Sequence, residues 1–91
     1  MYDPRIVPMG YQQISAFSTL QSLTIPPGAT VALIRTETNN IRWRDDGVAP
    51  TAAIGMLLMP ADAYLLYAGT LSALQFIPVT GSATLDIAYY R

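Results

Sequence analysis

Thr30–Gly47, TVALIRTETNNIRWRDDG, holds the two segments whose reading decides the fold class. Thr30 to Glu37 is β-branched and apolar and turns polar only at its end, the composition of a strand. Thr38-Asn39-Asn40 reads as a turn. Ile41 and Trp43 then alternate with Arg42 and Arg44, which is the period of a half-buried strand. Asp45-Asp46-Gly47 closes it, because Asp-Gly favours a tight turn.

The same rhythm extends in both directions. Upstream, Gln21, Leu23 and Ile25 share one face, opposed by Ser22 and Thr24, and Pro26-Pro27-Gly28-Ala29 is a turn in which Gly28 is free to take positive φ. Downstream, Val48 to Thr51 is loop around Pro50, and Ile54 to Met59 is a short strand stopped by Pro60-Ala61-Asp62. Ala63 to Tyr67 follows, with Leu65 and Tyr67 on one face and Tyr64 and Leu66 on the other. Gly69 to Ser72 suits one helical turn before a strand over Ala73 to Val79, and Thr80-Gly81-Ser82 turns again. In the last strand Leu85, Ile87 and Tyr89 oppose Asp86, Ala88 and Tyr90. A helix over Thr51–Tyr67 is excluded by Gly55 and Pro60.

About seven or eight short strands at intervals of roughly ten residues predict an all-β chain, a small antiparallel β-sandwich of jelly-roll-like or immunoglobulin-like type. Residues 1–13, MYDPRIVPMGYQQ, carry two prolines, a glycine and no periodicity. They are expected to form an extended N-terminal arm, with residues 14–91 as a single domain.

The 91 residues include five Arg, no Lys, six acids and neither His nor Cys. This alphabet builds no disulfide, zinc finger, thiol nucleophile, imidazole base or Schiff-base lysine. Charged residues are 12% of the chain and hydrophobic ones 52%, against about 25% charged in an average soluble domain. A small chain has much surface to cover, so an apolar excess of this kind points to a partner surface. A net charge of −1 offers no footprint for nucleic acid. Residues 63–85 carry no charge, yet Gly69, Pro78 and Gly81 divide them into strands and turns, so no membrane span is expected. The start of the chain lacks the apolar stretch of a signal peptide, and synthesis in the cytoplasm is expected.

Chemistry-bearing residues concentrate in Arg42-Trp43-Arg44-Asp45-Asp46-Gly47. Asp45 paired with Asp46, or with Glu37, would be an acid/base couple or a hard-cation site. Neighbouring residues of a strand or turn point apart, which favours a turn cap and Arg–Asp ion pairs instead. The serines and threonines have no base to activate them, and the glycines form no phosphate-cradling motif. No enzyme, cofactor or metal is expected. Trp43 and the tyrosines are expected mainly in core or interface, with a sugar-stacking platform as the alternative. Trp and Arg anchor interfaces, and Met fills gaps in them. The candidate interface residues are Tyr2, Arg5, Ile6, Val7, Met9, Tyr11, Arg42, Arg44, Met56, Met59, Tyr64 and Tyr67.

From Leu23 to Tyr90 the order of features resembles small structural proteins of tailed bacteriophages and prophages. The resemblance runs through Ile25-Pro26-Pro27-Gly28-Ala29, Ala32-Leu33-Ile34, Arg42-Trp43-Arg44-Asp45-Asp46-Gly47 with Pro50-Thr51, Gly55-Met56-Leu57-Leu58, Tyr67-Ala68-Gly69-Thr70-Leu71 and Ile87-Ala88-Tyr89-Tyr90. It covers about four-fifths of the chain and leaves the N-terminal arm unmatched. It implies a virion component with a small β-sandwich and transfers no catalytic residue. The function expected is a capsid decoration, or cement, protein on the virion surface. Its partners would be the major capsid protein and further copies of itself, as a homotrimer or another homo-oligomer. A fibre or tail module recognising a host-surface glycan, or a head–tail or tail-ring component, is the alternative.

Overall fold

The computed structural model describes residues 7–62 and 64–91. Eight strands follow in chain order: β1 (Pro8–Phe17), β2 (Gln21–Ser22), β3 (Val31–Thr38), β4 (Ile41–Arg44), β5 (Met56–Leu58), β6 (Leu65–Ala68), β7 (Gln75–Pro78) and β8 (Ala83–Tyr90), with a 3-10 turn at Leu71–Ala73 between β6 and β7. They make two four-stranded antiparallel sheets, the first in the order β1-β8-β3-β6 and the second β2-β7-β4-β5. The chain is therefore all-β. Its pairings are nested: first strand with last, second with seventh, third with sixth, fourth with fifth. β3 and β4 close the sheets by also pairing with β8 and β7.

Both sheets feed one buried cluster. The first contributes Phe17, Ala32, Ile34, Ala83, Leu85, Ile87 and Tyr89, and the second Ile41, Leu58 and Phe76, with Leu71 and Leu74 from the turn beside β7. Strand alternation produces this directly: in β8 every second residue from Ala83 to Tyr89 is buried, and in β3 Ala32, Ile34 and Thr36 are. The buried Thr36 hydroxyl donates to the carbonyls of Thr38 and Asn39 at 3.1 and 2.9 Å. Asn39 carries the turn with φ +62°, a conformation that Asn tolerates better than most residues.

The arm expected over residues 1–13 meets the described residues from Val7 onward, and Pro8 to Gln13 there are the first six residues of β1. They pair with β8 from Tyr90 to Asp86. Pro8 and Gly10 are accommodated because β1 is an edge strand. One-residue bulges interrupt β1 at both ends, between Pro8 and Gly10 and between Ile14 and Phe17. The second, with Ala16 at φ +48°, turns Phe17 into the core. Gln12 faces inward: its Oε1 accepts from the Tyr89 hydroxyl at 2.6 Å and from the Thr24 N–H at 3.1 Å. β5 is shorter than the strand expected over Ile54 to Met59, and the helical turn expected from Gly69 begins two residues later, at Leu71. Among the described residues no helix is long and apolar enough to cross a membrane.

Candidate functional site

Three places carry exposed or polar side chains in an organised way. The first is the outer face of the first sheet. Register places Tyr11 opposite Ala88, Ala88 opposite Leu33, and Leu33 opposite Leu66, so one row crosses all four strands. In the next row Gln13 and Arg35 lie on either side of Asp86. Asp86 Oδ1 accepts from the Tyr11 hydroxyl at 2.6 Å and from Gln13 Nε2 at 3.0 Å, while the Gln13 amide also donates to Glu37 Oε2 at 3.0 Å.

This network brings two carboxyls together. A hydrogen bond to Asp86, then the charge of Asp86 and some desolvation, hold Glu37 above the ordinary carboxylate range against the opposing pull of Gln13 and Arg35. Burial alone would push Asp86 up. Hydrogen bonds from Tyr11, Glu37 and Gln13 and the charge of Arg35 outweigh it and leave Asp86 below the ordinary range. As the pair protonates, Glu37 takes the proton in preference to Asp86. The Tyr11 hydroxyl is raised by the same bond to Asp86. A hollow of about 400 Å³ on this face is lined by Tyr11, Leu33, Arg35, Tyr64, Asp86 and Ala88.

The second place is the corner after β4. Asp45 and Asp46 point apart: Asp45 accepts from the Tyr67 hydroxyl at 2.7 Å, and Asp46 Oδ1 accepts from Arg44 Nε at 2.9 Å, with a second, shorter contact from Arg44 Nη2 to Oδ2. Arg44 holds the Asp46 carboxyl below its usual range, and Asp45 holds the Tyr67 hydroxyl above its own. Trp43 meets Tyr67 edge-on with centroids 6.2 Å apart, which ties the second sheet to the first. Arg42 donates from Nε to the Ala52 carbonyl at 3.1 Å and from Nη1 to the Gly55 carbonyl at 2.9 Å. Its guanidinium organises the loop between β4 and β5.

The third is the β5 edge. Ile54, Met56, Leu57 and Met59 are all exposed, Met56 to 60%; Ile54 and Met56 share a surface hollow with Arg44, Asp45 and Asp46, and Asp62 Oδ2 accepts from the Met59 N–H at 2.9 Å.

Of the interface candidates read from sequence, Tyr2, Arg5 and Ile6 lie outside the described residues. Val7, Tyr11, Met56, Met59 and Tyr64 are exposed, and Met9 and Tyr67 are half-buried against the core. Arg42 and Arg44 are half-buried and engaged within the chain. They fall in separate places: Tyr11 and Tyr64 line the hollow on the first sheet, whereas Met56 on the β5 edge adjoins Arg44 at the corner, where Arg42 pairs opposite Leu57. Glu37 lies beside Asp86 rather than Asp45. Sequence separation hid that partner, and only the β3–β8 register reveals it. Among the described residues no group of three or more acids could hold a metal ion.

The class these features define is an all-β domain of two antiparallel sheets with a hollow of mixed lining on one face and an exposed edge strand on the other sheet. Compared with known proteins, the chain matches no protein-family model, no curated protein and no solved structure.

Proposed function

We propose that the chain is a structural protein of a tailed-phage virion, a decoration protein that binds the outer capsid shell and stabilises contacts between capsomers. The observation that carries this reading is the exposed apolar edge formed by Ile54, Met56, Leu57 and Met59, flanked on one side by Arg44, Asp45 and Asp46. An edge strand with apolar side chains and few charges is an aggregation hazard unless something covers it. A repeating shell, or neighbouring copies in a trimer on it, supplies such cover, and roughly 1,200–2,000 Å² of total buried area is enough for a stable contact.

The finer fold reading belongs with it. The strand orders β1-β8-β3-β6 and β2-β7-β4-β5 and their nested pairing support a jelly roll rather than an immunoglobulin-like sandwich, and jelly rolls are common among capsid components. The Arg42–Gly47 motif and its flanking segments support the phage assignment through the resemblance described above. The major capsid protein is the proposed main partner.

Cryo-electron microscopy of the particle that encodes the chain tests this. Density at capsomer junctions with the β5 edge against a neighbour is expected; density confined to tail or fibre would overturn the decoration reading. The proposed arm is tested by removing residues 1–6 alone, because a deletion through residue 13 also removes the first six residues of β1. Weaker occupancy on purified heads is expected, and unchanged occupancy would remove the arm from the account.

A further inference from the structure

We propose that the hollow on the outer face of the first sheet is a binding site for an uncharged sugar ring. Its floor is Leu33 and Ala88, paired across β3 and β8. Tyr11 and Tyr64 border it and stay 65% and 54% exposed. Tyr11 is exposed and yet fixed, because its hydroxyl donates to Asp86 at 2.6 Å. A ring held in place by its own hydroxyl while its body faces solvent is a stacking surface with little ordering left to lose. The apolar C–H face of a pyranose fits such a ring.

The polar groups match the rest of a sugar. Asp86 accepts hydroxyl protons, and Oδ1 is already oriented by Tyr11 and Gln13. Arg35, directly across from Asp86 in the β3–β8 register, donates to hydroxyl oxygens. A carboxylate beside a guanidinium sets an acceptor next to a donor, and Glu37, bridged to Asp86 through Gln13, adds a second carboxyl that disfavours an anionic ring. That arrangement suits the hydroxyls of a neutral polyol. The size is also suitable: about 400 Å³ lies at the low end of small-ligand sites, which run from about 300 to 1,000 Å³. Sequence alone offers Trp43 and the tyrosines together for a sugar platform; in the structure Trp43 packs edge-on against Tyr67, and Tyr11 and Tyr64 are the aromatics that line the hollow. This inference goes beyond the shell-binding reading and is independent of it, since the isolated 91-residue chain carries every residue named.

The test is amide-resolved NMR titration of the full chain with a panel of free monosaccharides: neutral hexoses, 6-deoxyhexoses, N-acetylhexosamines and uronic acids. At least one neutral sugar is expected to shift the amides of Leu33, Arg35, Asp86 and Ala88 at millimolar concentration. Tyr64→Ala is expected to weaken that sugar about five- to tenfold, and Met56→Ala, on the other sheet, to leave it unchanged. Tyr64→Leu, which keeps the apolar bulk and loses the ring, serves if the alanine variant does not fold. The proposal is overturned if no neutral sugar shifts these amides, if the shifts map instead to Trp43 and Tyr67, or if both folded Tyr64 variants bind as the parent does.

Discussion

In the first sheet three strands run ten, eight and eight residues, whereas the strands of the second run two, four, three and four. The long sheet is held by extended ladders and strict alternation, so its backbone fixes where its side chains go. A short strand has few ladder bonds, and its position depends on what packs against it. The second sheet is accordingly anchored by side chains: Phe76 and Ile41 in the common core, Trp43 on Tyr67, and Arg42 on the carbonyls of Ala52 and Gly55. The contrast teaches that the second sheet borrows its order from the first, and it can be broken at defined points.

The largest effect is expected in the shared core. Phe76→Ala in the second sheet should cost about 3–5 kcal/mol and Ile87→Ala in the first about 2–5 kcal/mol, a large part of the 5–15 kcal/mol typical of a domain. In urea unfolding, tryptophan fluorescence (Trp43, second sheet) and far-ultraviolet circular dichroism should move together in both variants. A separate, earlier fluorescence transition in Phe76→Ala would show that the second sheet melts alone. Next comes the loop anchor: Arg42→Met removes two charge-assisted bonds and should cost about 1.5–3 kcal/mol, with amide exchange faster at residues 52–57 and unchanged in β8. Equal acceleration in both sheets would contradict a local role.

A smaller effect belongs to the first sheet. Tyr89→Phe removes the bond to Gln12 and should cost about 0.5–1.5 kcal/mol at neutral pH. Burial pushes the Tyr89 hydroxyl up to about 12, so the native state favours its neutral form. That contribution is complete below about pH 10, the unfolded value, and is lost as pH rises through 12. The phenylalanine variant should therefore show a shallower alkaline loss of stability than the parent. The smallest effect is at Glu37 and Asp86. The raised Glu37 carboxyl contributes stability below its unfolded pKa that is lost as pH rises through its folded one. The depressed Asp86 contributes above its unfolded pKa and loses this as pH falls through its folded one. The two oppose, so this pair adds little net slope to acid denaturation, and Glu37→Gln should steepen it by leaving only the Asp86 side of the pair. An identical acid profile in the variant would mean that the two carboxyls do not interact.

The same contrast explains what the sequence made legible. β3 was readable from its β-branched apolar run and β4 and β8 from their alternation over consecutive residues, and Tyr89 lies in the core face as its phase requires. β1 was not, for physical reasons: inward-facing Gln12 is polar, Pro8 and Gly10 imitate a loop, and the bulge before Phe17 shifts the phase of the pattern. The turn at Asp45-Asp46-Gly47 and its Arg–Asp pairing were legible from local chemistry. The hollow was not, because Tyr11, Arg35, Tyr64 and Asp86 come from widely spaced parts of the chain and only strand register assembles them.

The nested pairing also has a kinetic consequence. Tyr11 meets its partner Asp86 75 positions later, and β1 has no neighbour other than β8 in its sheet. During synthesis the first strand to emerge must wait for the last, and the long loop this closes is a slow step of the kind that places non-local β folds in the millisecond-to-second range. Until then β3 and β6 can already pair while β1 stays unpaired and open to other chains. At high expression the nascent first strand is therefore the segment a chaperone, or a second ribosome-bound copy, has most time to capture.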